Sequence, residues 1–587
     1  MDPQLVFADD GSPRSGRFGD IYYSLDDGLS EARAVFLRGC RLPENWGGWS
    51  DFTVLELGFG TGLNIAALMQ LWAAHRPAGG HLHAVSIEGF AMTGEDAARA
   101  LSAWPELAEF AAALVRQWPK ARRGFHHMDF PQWGVSVTLI LMEVREALAA
   151  WDGQADAIFL DGFSPARNPD MWAADVLAAV GRKARPGARL ATFTVAGGVR
   201  RDLARAGFRV QKRPGFGRKR ERLEALFTPG HGYVMKHRPA RIAIVGAGIG
   251  GAALACQARL IGLDSDIFDP GPGSGASGNA MALVTPRLDA GDNAISQLYA
   301  DAFAYSTALY RRLCPEAIAG QGVHQAEMTA KDASRFARIA VQTGFAPGDL
   351  RLFAAGDAVE MPGAAGIAID SALWLRPDIA LPALLDGQEI IRAAMVATDG
   401  RFLTDDRGRR HGPYDAVIVA AGEGIFDLAD YRARYDLRAV RGQVEAVASE
   451  VPLRSALSWG GYAVPLAGGY VFGATHERDD RGCDIRLADR ARNLDSLARA
   501  MPARAAALTG GAFRSRASVR VMTRDYLPVA GRAGGVWLLT GLGARGFCLA
   551  PLLARALLSE ITGAPWPLAA IAKSLLDPAR LIAPSRT

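Results

Sequence analysis

Through residue 228 the chain alternates short apolar runs of strand length with stretches whose apolar residues recur at helical spacing. The runs at 53–57, 82–87, 138–141, 155–160, 189–194 and 208–211 predict strands, with a further strand-like run at 223–227. The stretches 63–74 and 170–180 predict helices between them. Such alternation predicts a mostly parallel, doubly wound sheet. The segment 228–240, TPGHGYVMKHRPA, has Pro, Gly and basic residues without periodicity and reads as a connection. Beyond it the pattern restarts as a β-α-β unit, with strands at 241–245 and 265–268 around a helix at 250–260. A long mixed region follows, then an apolar strand at 414–420 ending in Ala421-Gly422, and finally a strand at 536–540, a glycine turn and a helix at 547–561. The expected organisation is a domain over 1–228, a linker over 229–240 and a second domain over 241–587.

Composition changes this picture little. A chain of 587 residues exceeds what one core supports, in agreement with two domains. The contents of 49% hydrophobic and 22% charged residues are those of an ordinary globular protein. The five cysteines (Cys40, Cys256, Cys314, Cys483, Cys548) form no C-x-x-C pair, which argues against a zinc site or disulfide framework and fits a reducing cytoplasm. The start of the chain has no apolar signal core, and no apolar run reaches the roughly 20 residues needed to span a bilayer. Net charge is only +5, yet ten Arg or Lys crowd between Arg200 and Arg222 against Asp202 and Glu221, a cluster suited to phosphates. A solvated arginine-rich surface is the other reading of the same charges.

Two glycine-rich fingerprints of different kinds carry the chemistry, and a chain holding both is expected to run two successive reactions on one substrate. The first is Glu56-Leu57-Gly58-Phe59-Gly60-Thr61-Gly62-Leu63-Asn64, with the G-x-G-x-G spacing of S-adenosylmethionine-dependent methyltransferases. Gly58, Gly60 and Gly62 let the chain turn sharply and a ligand lie on bare backbone. Glu88, ending the next strand, is placed to accept from both ribose hydroxyls. Asp161 and Phe163, in Phe159-Leu160-Asp161-Gly162-Phe163-Ser164-Pro165, follow another strand end, where open α/β sheets bind ligands. A carboxylate there can hold or accept the proton of an amine that must free a lone pair, and Phe163 can stack on a flat base. A plain turn with Asp161 as helix cap is the alternative.

The second fingerprint is Ile244-Val245-Gly246-Ala247-Gly248-Ile249-Gly250-Gly251, a G-x-G-x-x-G turn. Gly246, Gly248 and Gly251 serve the tight turn, the approach of a pyrophosphate and helix–strand packing, and Asp269 ends the next strand in position for the adenosine ribose. These leave flavin and nicotinamide open. Two features favour FAD: the small residues Ser277, Gly278 and Asn279 after the acid, and the turn through Gly543, Arg545 and Gly546 that opens the last helix. The histidines His126, His127 and His476 have no partner cluster in sequence and read as structural or surface residues.

The order of LELGFGTGLN, FLDGFSPARNPDMW, ATFT, GFGRKRE, IVGAGIGG, GASGN, RGQV, TRDYLP and GLGARGF resembles the MnmC family, over nearly the whole chain. The second half also resembles the glycine oxidase and D-amino acid oxidase superfamily. The fold class implied is α/β: an N-terminal class I, Rossmann-like S-adenosylmethionine methyltransferase fused to a C-terminal FAD-binding Rossmann oxidoreductase with a mixed α+β substrate subdomain. The activity implied is modification of the wobble uridine of tRNA. Oxidation removes a carboxymethyl group from 5-carboxymethylaminomethyl-(2-thio)uridine, and methylation then caps the exposed amine. Asp161 and Phe163 match the family's active-site aspartate and aromatic, Glu88 its ribose acid, and Arg218, Lys219 and Arg220 its RNA-facing basic turn. The substrate carboxylate calls for an arginine, with Arg520, Arg524 and Arg545 as candidates. The expected protein is a cytoplasmic monomer with FAD and S-adenosylmethionine, tRNA as partner and no metal. Two positions depart from the family: Met142-Glu143 stands where Gly-Asp is usual, so that Glu143 would reach the adenine amino group from one methylene further out, and Ala282 replaces a Gly. A small-molecule amine oxidase fused to an unrelated methyltransferase is the alternative reading.

Overall fold

The computed structural model describes residues 3–9, 11–23, 27–47, 50–217, 220–229, 238–291, 293–358, 360–428, 431–508 and 512–582. It divides into two compact units. The first comprises 1–238 with 260–262 and 559–570; the second comprises 239–259, 263–558 and 571–587. Most of the connection read over 229–240 lies outside the described residues.

The first unit is built on eight strands: β1 Asp51–Leu57, β2 His81–Glu88, β3 Gly124–Phe130, β4 Val135–Leu141, β5 Ala155–Leu160, β6 Ala184–Thr192, β7 Phe208–Pro214 and β8 Glu221–Phe227. Their spatial order is β7-β8-β6-β5-β1-β2-β4-β3. The pairs from β6 through β5, β1 and β2 to β4 are parallel, whereas β8 runs antiparallel to β6 and β7. Strand β3 is the element the apolar pattern missed. It pairs antiparallel with β4 at the sheet edge, and its sequence GFHHMDF carries polar residues that blur the strand signal. Chain order reverses between β1 and β5, so a crevice opens beyond their C-terminal ends.

Burial on both faces explains why β1 reads as an almost unbroken apolar run. Phe52 and Val54 pack into one core cluster with helix α1, Leu63–His75, while Leu55 and Leu57 pack into the other. Glu56 shares the face of Phe52 and Val54 and is fully buried, which marks it as a polar residue with a task. The helix expected over 170–180 begins later, at Ala174, after a single 3-10 turn at Pro169–Trp172. Near the far end of the chain, 559–570 belongs to this unit: Ala569 bridges Trp151, and Ala570 N donates to the Ala150 carbonyl at 2.7 Å.

In the second unit, β9 Arg241–Val245 is central to a six-stranded sheet. It pairs in parallel with β10 Asp264–Phe268 and with β12 Ala416–Val419; β10 continues to β11 Ile390–Ile391. On the other side β12 pairs with β16 Val536–Thr540, and β15 Val529–Ala533 closes that edge antiparallel. Helix α2, Ile249–Leu260, follows β9, and α3, Gly546–Thr562, follows β16. The unit also holds a small three-stranded sheet within 395–411 and a ten-stranded mixed sheet, in which β13 Arg438–Ala448 and β14 Phe513–Met522 pair antiparallel along ten positions.

Candidate active sites

In the first unit a cavity of about 700 Å³ lies at the ends of β1, β2 and β5, lined by Gly58, Gly60, Asn64, Glu88, Asp161 and Phe163 among others. Gly58 has φ 95°, and a Cβ there would lie 1.7 Å from the Asp161 carbonyl oxygen, so only glycine lets the two strand ends meet. Gly58 N donates to the Ile87 carbonyl at 2.9 Å and Asp161 N to the Leu57 carbonyl at 3.0 Å, locking three strand ends together. Gly62 opens α1 from a left-handed conformation behind the cavity wall, beside Leu114.

The acids differ in their surroundings. Asn64 Nδ2 bridges Glu56 Oε1 at 3.1 Å and Asp161 Oδ2 at 2.7 Å, and Ser86 Oγ donates to Glu56 Oε2 at 2.6 Å. Burial, with Asp161 nearby, pushes the Glu56 carboxyl up to about 8. Glu56 therefore sits beneath the cavity and holds Asn64 rather than facing a ligand. Glu88 accepts from Gly60 N at 3.1 Å and Phe90 N at 2.7 Å, although burial raises its affinity for a proton. Glu143 lines the cavity, but its carboxylate also caps the helix Val144–Ala150, accepting from Arg145 N at 2.8 Å. Its other oxygen, Oε1, lies 3.5 Å from Arg145 Nη1, so the side chain serves the helix cap while it lines the cavity. Sequence reasoning missed Phe18 and Tyr22, whose rings lie 4.9 and 5.1 Å from that of Phe163. No glycine motif or strand end announces them.

Of the basic stretch, Arg218 and Lys219 lie outside the described residues. Arg220 is exposed in the turn joining β7 to β8, where Gly215 N donates to its carbonyl at 3.0 Å. Arg200, Arg201 and Arg209 are exposed too, whereas Lys212 pairs with Glu221 at 2.7 Å and Arg222 with Glu224 at 2.6 Å.

The second unit has a cavity of about 1210 Å³ lined by Gly246, Gly248, Asp269, Ser277 and Asn279, and further along by Gly422, Gly543, Gly546, Arg520 and Arg545. Asp269 accepts from Ala247 N and Gly271 N, both at 2.7 Å. Ser277 Oγ accepts from Ile249 N at 3.0 Å, and a Cβ on Gly248 would lie 3.1 Å from that oxygen, so Gly248 keeps the mouth of the turn open. Gly251 and Gly278 act from behind the wall: a Cβ would lie 1.7 Å from the Gly246 carbonyl in one case and 1.8 Å from that of Gly273 in the other. Arg516, absent from the sequence argument, fastens the same loop. It donates to Asn279 Oδ1 at 3.2 Å and to the carbonyls of Gly273, Ser274 and Gly275 at 3.1, 2.7 and 2.8 Å.

Of the three arginines expected to meet a carboxylate, two line the cavity. Arg520 donates to the Thr475 carbonyl at 3.1 Å, and Thr475 is in turn held by Gln443 N, which donates to its Oγ1 at 3.0 Å. A Cβ on Gly442 would lie 2.6 Å from Arg520 Nη2, so the Arg-Gly-Gln-Val run of β13 both clears and anchors that guanidinium. Arg545 donates to the carbonyl and Oγ1 of Thr285, each at 3.1 Å. Arg524 is exposed and donates to the Arg580 carbonyl, away from the cavity, which removes it from the candidates. His476 is an exposed residue at the edge of this cavity, where partial burial and then Arg520 lower its affinity for a proton. His126 is buried within 2.9 Å of the Arg122 carbonyl, and His127 lies 3.0 Å from Thr138 Oγ1.

The chain matches a family model described as S-adenosyl-L-methionine-dependent methyltransferase over residues 105–228 and one described as FAD dependent oxidoreductase over 241–560. S-adenosylmethionine and FAD are accordingly its cofactors, and the bare glycine turns and the acids at the next strand ends fit them. The second unit shares its fold with iminodiacetate oxidase from Chelativorans sp. BNC1 (TM-score 0.50, 22% identity, 58% of this chain and 100% of that one). The tRNA 5-methylaminomethyl-2-thiouridine biosynthesis bifunctional protein MnmC of Caulobacter vibrioides is 47% identical over 99% of this chain and 98% of its own length. That of Maricaulis maris is 40% identical over 98% and 96%. With both cofactor folds on one chain and that identity from end to end, the chain belongs to the MnmC family of bifunctional proteins.

Proposed function

We propose that this chain remodels the wobble uridine of tRNA in two steps. Its oxidoreductase unit removes the carboxymethyl group from 5-carboxymethylaminomethyl-(2-thio)uridine, and its methyltransferase unit converts the resulting 5-aminomethyl group to 5-methylaminomethyl. The observation that carries this reading is the pair of cavities, one walled by acids and one by arginines, on a chain similar throughout its length to proteins named for this biosynthesis.

In the oxidoreductase cavity Arg520 is the leading partner for the substrate carboxylate, because Thr475 and Gly442 hold its guanidinium in a desolvated wall. Arg545 is the second candidate, tied to Thr285. The chemistry that FAD would supply there is acceptance of a hydride from the carbon between amine and carboxylate. Water then splits the substrate imine into the aminomethyl nucleoside and glyoxylate. Asp269 and the turn at 246–251 hold the adenosine and pyrophosphate, and Arg516 keeps the 273–279 loop against them.

In the methyltransferase cavity Glu88 receives the donor's ribose hydroxyls and the turn at 58–62 its amino-acid end. Asp161, held by Asn64, takes the proton that the acceptor amine must lose, and Phe163 stacks on the uracil. Arg220, with Arg218 and Lys219, meets the RNA backbone. We place this work in the cytoplasm and assign it to a monomer. Among the described residues no helix is long and apolar enough to cross a membrane.

The test is nucleoside mass spectrometry of bulk tRNA from cells lacking the protein, complemented by the full chain, by Gly248→Val or by Asp161→Ala. The expected accumulations are carboxymethylaminomethyl-uridine with Gly248→Val and aminomethyl-uridine with Asp161→Ala. An unchanged wobble-uridine profile would overturn the reading and favour free amines as substrates.

A further inference from the structure

The first cavity has a wall that the sequence motifs do not touch. Phe18 and Tyr22 come from the N-terminal segment, where Pro13–Ser15 pairs antiparallel with Asp20–Ile21. Phe18 also meets Phe90 at 5.6 Å between ring centres, and Tyr22 meets Phe163 edge-on. Tyr22 reaches the glycine turn as well, since a Cβ on Gly60 would lie 3.2 Å from its ring. The segment is tethered on the acceptor side, where Ser164 N donates to Asp20 Oδ2 at 3.1 Å, and its own turn is fixed by Phe18 N, which donates to Ser15 Oγ at 3.2 Å. Residues 18–22 thus touch both the loop that holds the donor and the loop that carries Asp161.

The charge of this wall is one-sided. Its lining includes Asp20, Glu31, Glu88 and Asp161, and Arg17 is the single Arg or Lys among the described lining residues; Glu143 and Asp170, also in the lining, face Arg145 at 3.5 and 3.9 Å. Arg17 itself lies over the Phe90 ring, 4.2 Å from its centre. On the acceptor side the aromatic faces and the carboxylates of Asp20 and Asp161 favour a cation, and an acceptor carboxylate brought beside them is repelled; the donor's amino-acid end lies apart, against the backbone of the 58–62 turn. The oxidoreductase cavity differs: its lining holds Arg478, Arg481, Arg520 and Arg545 beside Asp269, Glu423 and Asp427, and with Arg481 paired to Asp427 the deeply buried Arg520 and Arg545 have no acid against them among the described lining residues.

We propose that Phe18 and Tyr22, with Phe163, enclose the uracil of the methyl acceptor and turn its ammonium arm toward the acids, so that this pocket admits the aminomethyl nucleoside and rejects its carboxymethylated precursor. This rests on the function proposed above and adds two residues that position the acceptor and set its specificity. The amine nitrogen, once its proton passes to Asp161, forms the N–C bond as the donor's S–C bond breaks. The order of the two reactions then follows from pocket charge.

The test uses the full chain and tRNA bearing the aminomethyl group, prepared by its own oxidoreductase reaction without methyl donor. Stacking on an aromatic ring contributes about 1–3 kcal/mol per base. Tyr22→Ala and Phe18→Ala are therefore expected to raise KM for this tRNA about fivefold or more, with the donor Kd changed less than about threefold. Tyr22→Phe should restore the wild-type KM. Free 5-aminomethyluridine should inhibit methyl transfer at concentrations at least about tenfold lower than 5-carboxymethylaminomethyluridine. Unchanged KM in both alanine variants, a loss confined to donor binding, or equal inhibition by the two nucleosides would overturn the proposal. Failure of the wild-type chain to methylate the tRNA would strike the tRNA reading itself.

Discussion

Replacing Gly58 by alanine tests whether the methyl donor loop and the acceptor carboxylate are held by one backbone contact. At φ 95° an L-residue is strained, by roughly 1–2 kcal/mol for left-handed backbone. The larger effect is steric. The new Cβ would lie 1.7 Å from the Asp161 carbonyl oxygen, which must retreat by more than about 1 Å to reach van der Waals contact. That carbonyl belongs to the residue whose N–H closes onto Leu57 at 3.0 Å, so retreat pulls Asp161 from its place beside Asn64. A displacement of about 1 Å costs on the order of 100-fold in rate when it moves a reacting group. We expect kcat for methyl transfer to aminomethyl tRNA to fall about 100-fold in Gly58→Ala, with flavin content and the oxidation rate unchanged. Gly60→Ala is the internal control for the backbone clash, because it carries left-handed strain too (φ 53°) while its Cβ would meet only side-chain atoms, the Tyr22 ring at 3.2 Å, so that any loss from moving Tyr22 falls on KM rather than kcat. Less than about a tenfold loss is expected there. The reasoning fails if Gly58→Ala keeps kcat within threefold of wild type, or if the two substitutions are equally damaging.

Arg516→Ala should weaken FAD binding roughly 10- to 100-fold, as loss of hydrogen bonds from a charged donor costs about 1.5–3 kcal/mol; flavin fluorescence titration reads it, and an unchanged Kd would refute the anchoring role. Arg520→Ala should raise KM for the carboxymethylated substrate by roughly 100-fold, with a smaller effect from Arg545→Ala; wild-type KM in Arg520→Ala would transfer the role to Arg545. Glu56 holds its proton up to about 8 when folded against an ordinary 4.5, so across that window the folded state keeps a proton the unfolded chain releases, and stability falls as pH rises. Glu56→Gln removes that penalty, so its Tm relative to wild type should improve from about pH 5 to about pH 8; parallel Tm curves would sink the assignment.

Both glycine turns and the acids after them were legible because each needs a fixed residue type at a fixed distance from a strand end. Glycine is required where Gly58 meets Asp161 and where Gly251 meets the Gly246 carbonyl, and these demands survive in the bare sequence. Strand β3 was not legible, since as an edge strand with His126, His127 and Asp129 it lacks the apolar run of its neighbours. Arg516 and Arg520 look alike in sequence, four residues apart on β14, yet one fastens a loop and the other faces a cavity. The partners that separate them, Gly273–Gly275 and Thr475, are distant in the chain and met only by folding. Phe18 and Tyr22 were hidden for the same reason. Arg524 was misjudged because sequence places a charge near a site without revealing what else satisfies it.

The strip of chain at 559–570 sets a condition on how this protein is made. It lies with the first unit, where Ala569 bridges Trp151 and the Pro567 carbonyl is 2.9 Å from His127 Nε2. A ribosome that has finished residue 228 must add about 330 more before that strip exists, which at roughly 5–20 residues per second takes tens of seconds. During that interval the methyltransferase half emerges without one of its pieces, and the packing around Trp151 waits for the end of synthesis. A message cut short anywhere before Ser559 would therefore leave both halves unfinished. For the same reason, dividing the gene at the connection between the fingerprints would part the first unit from a strip encoded with the second.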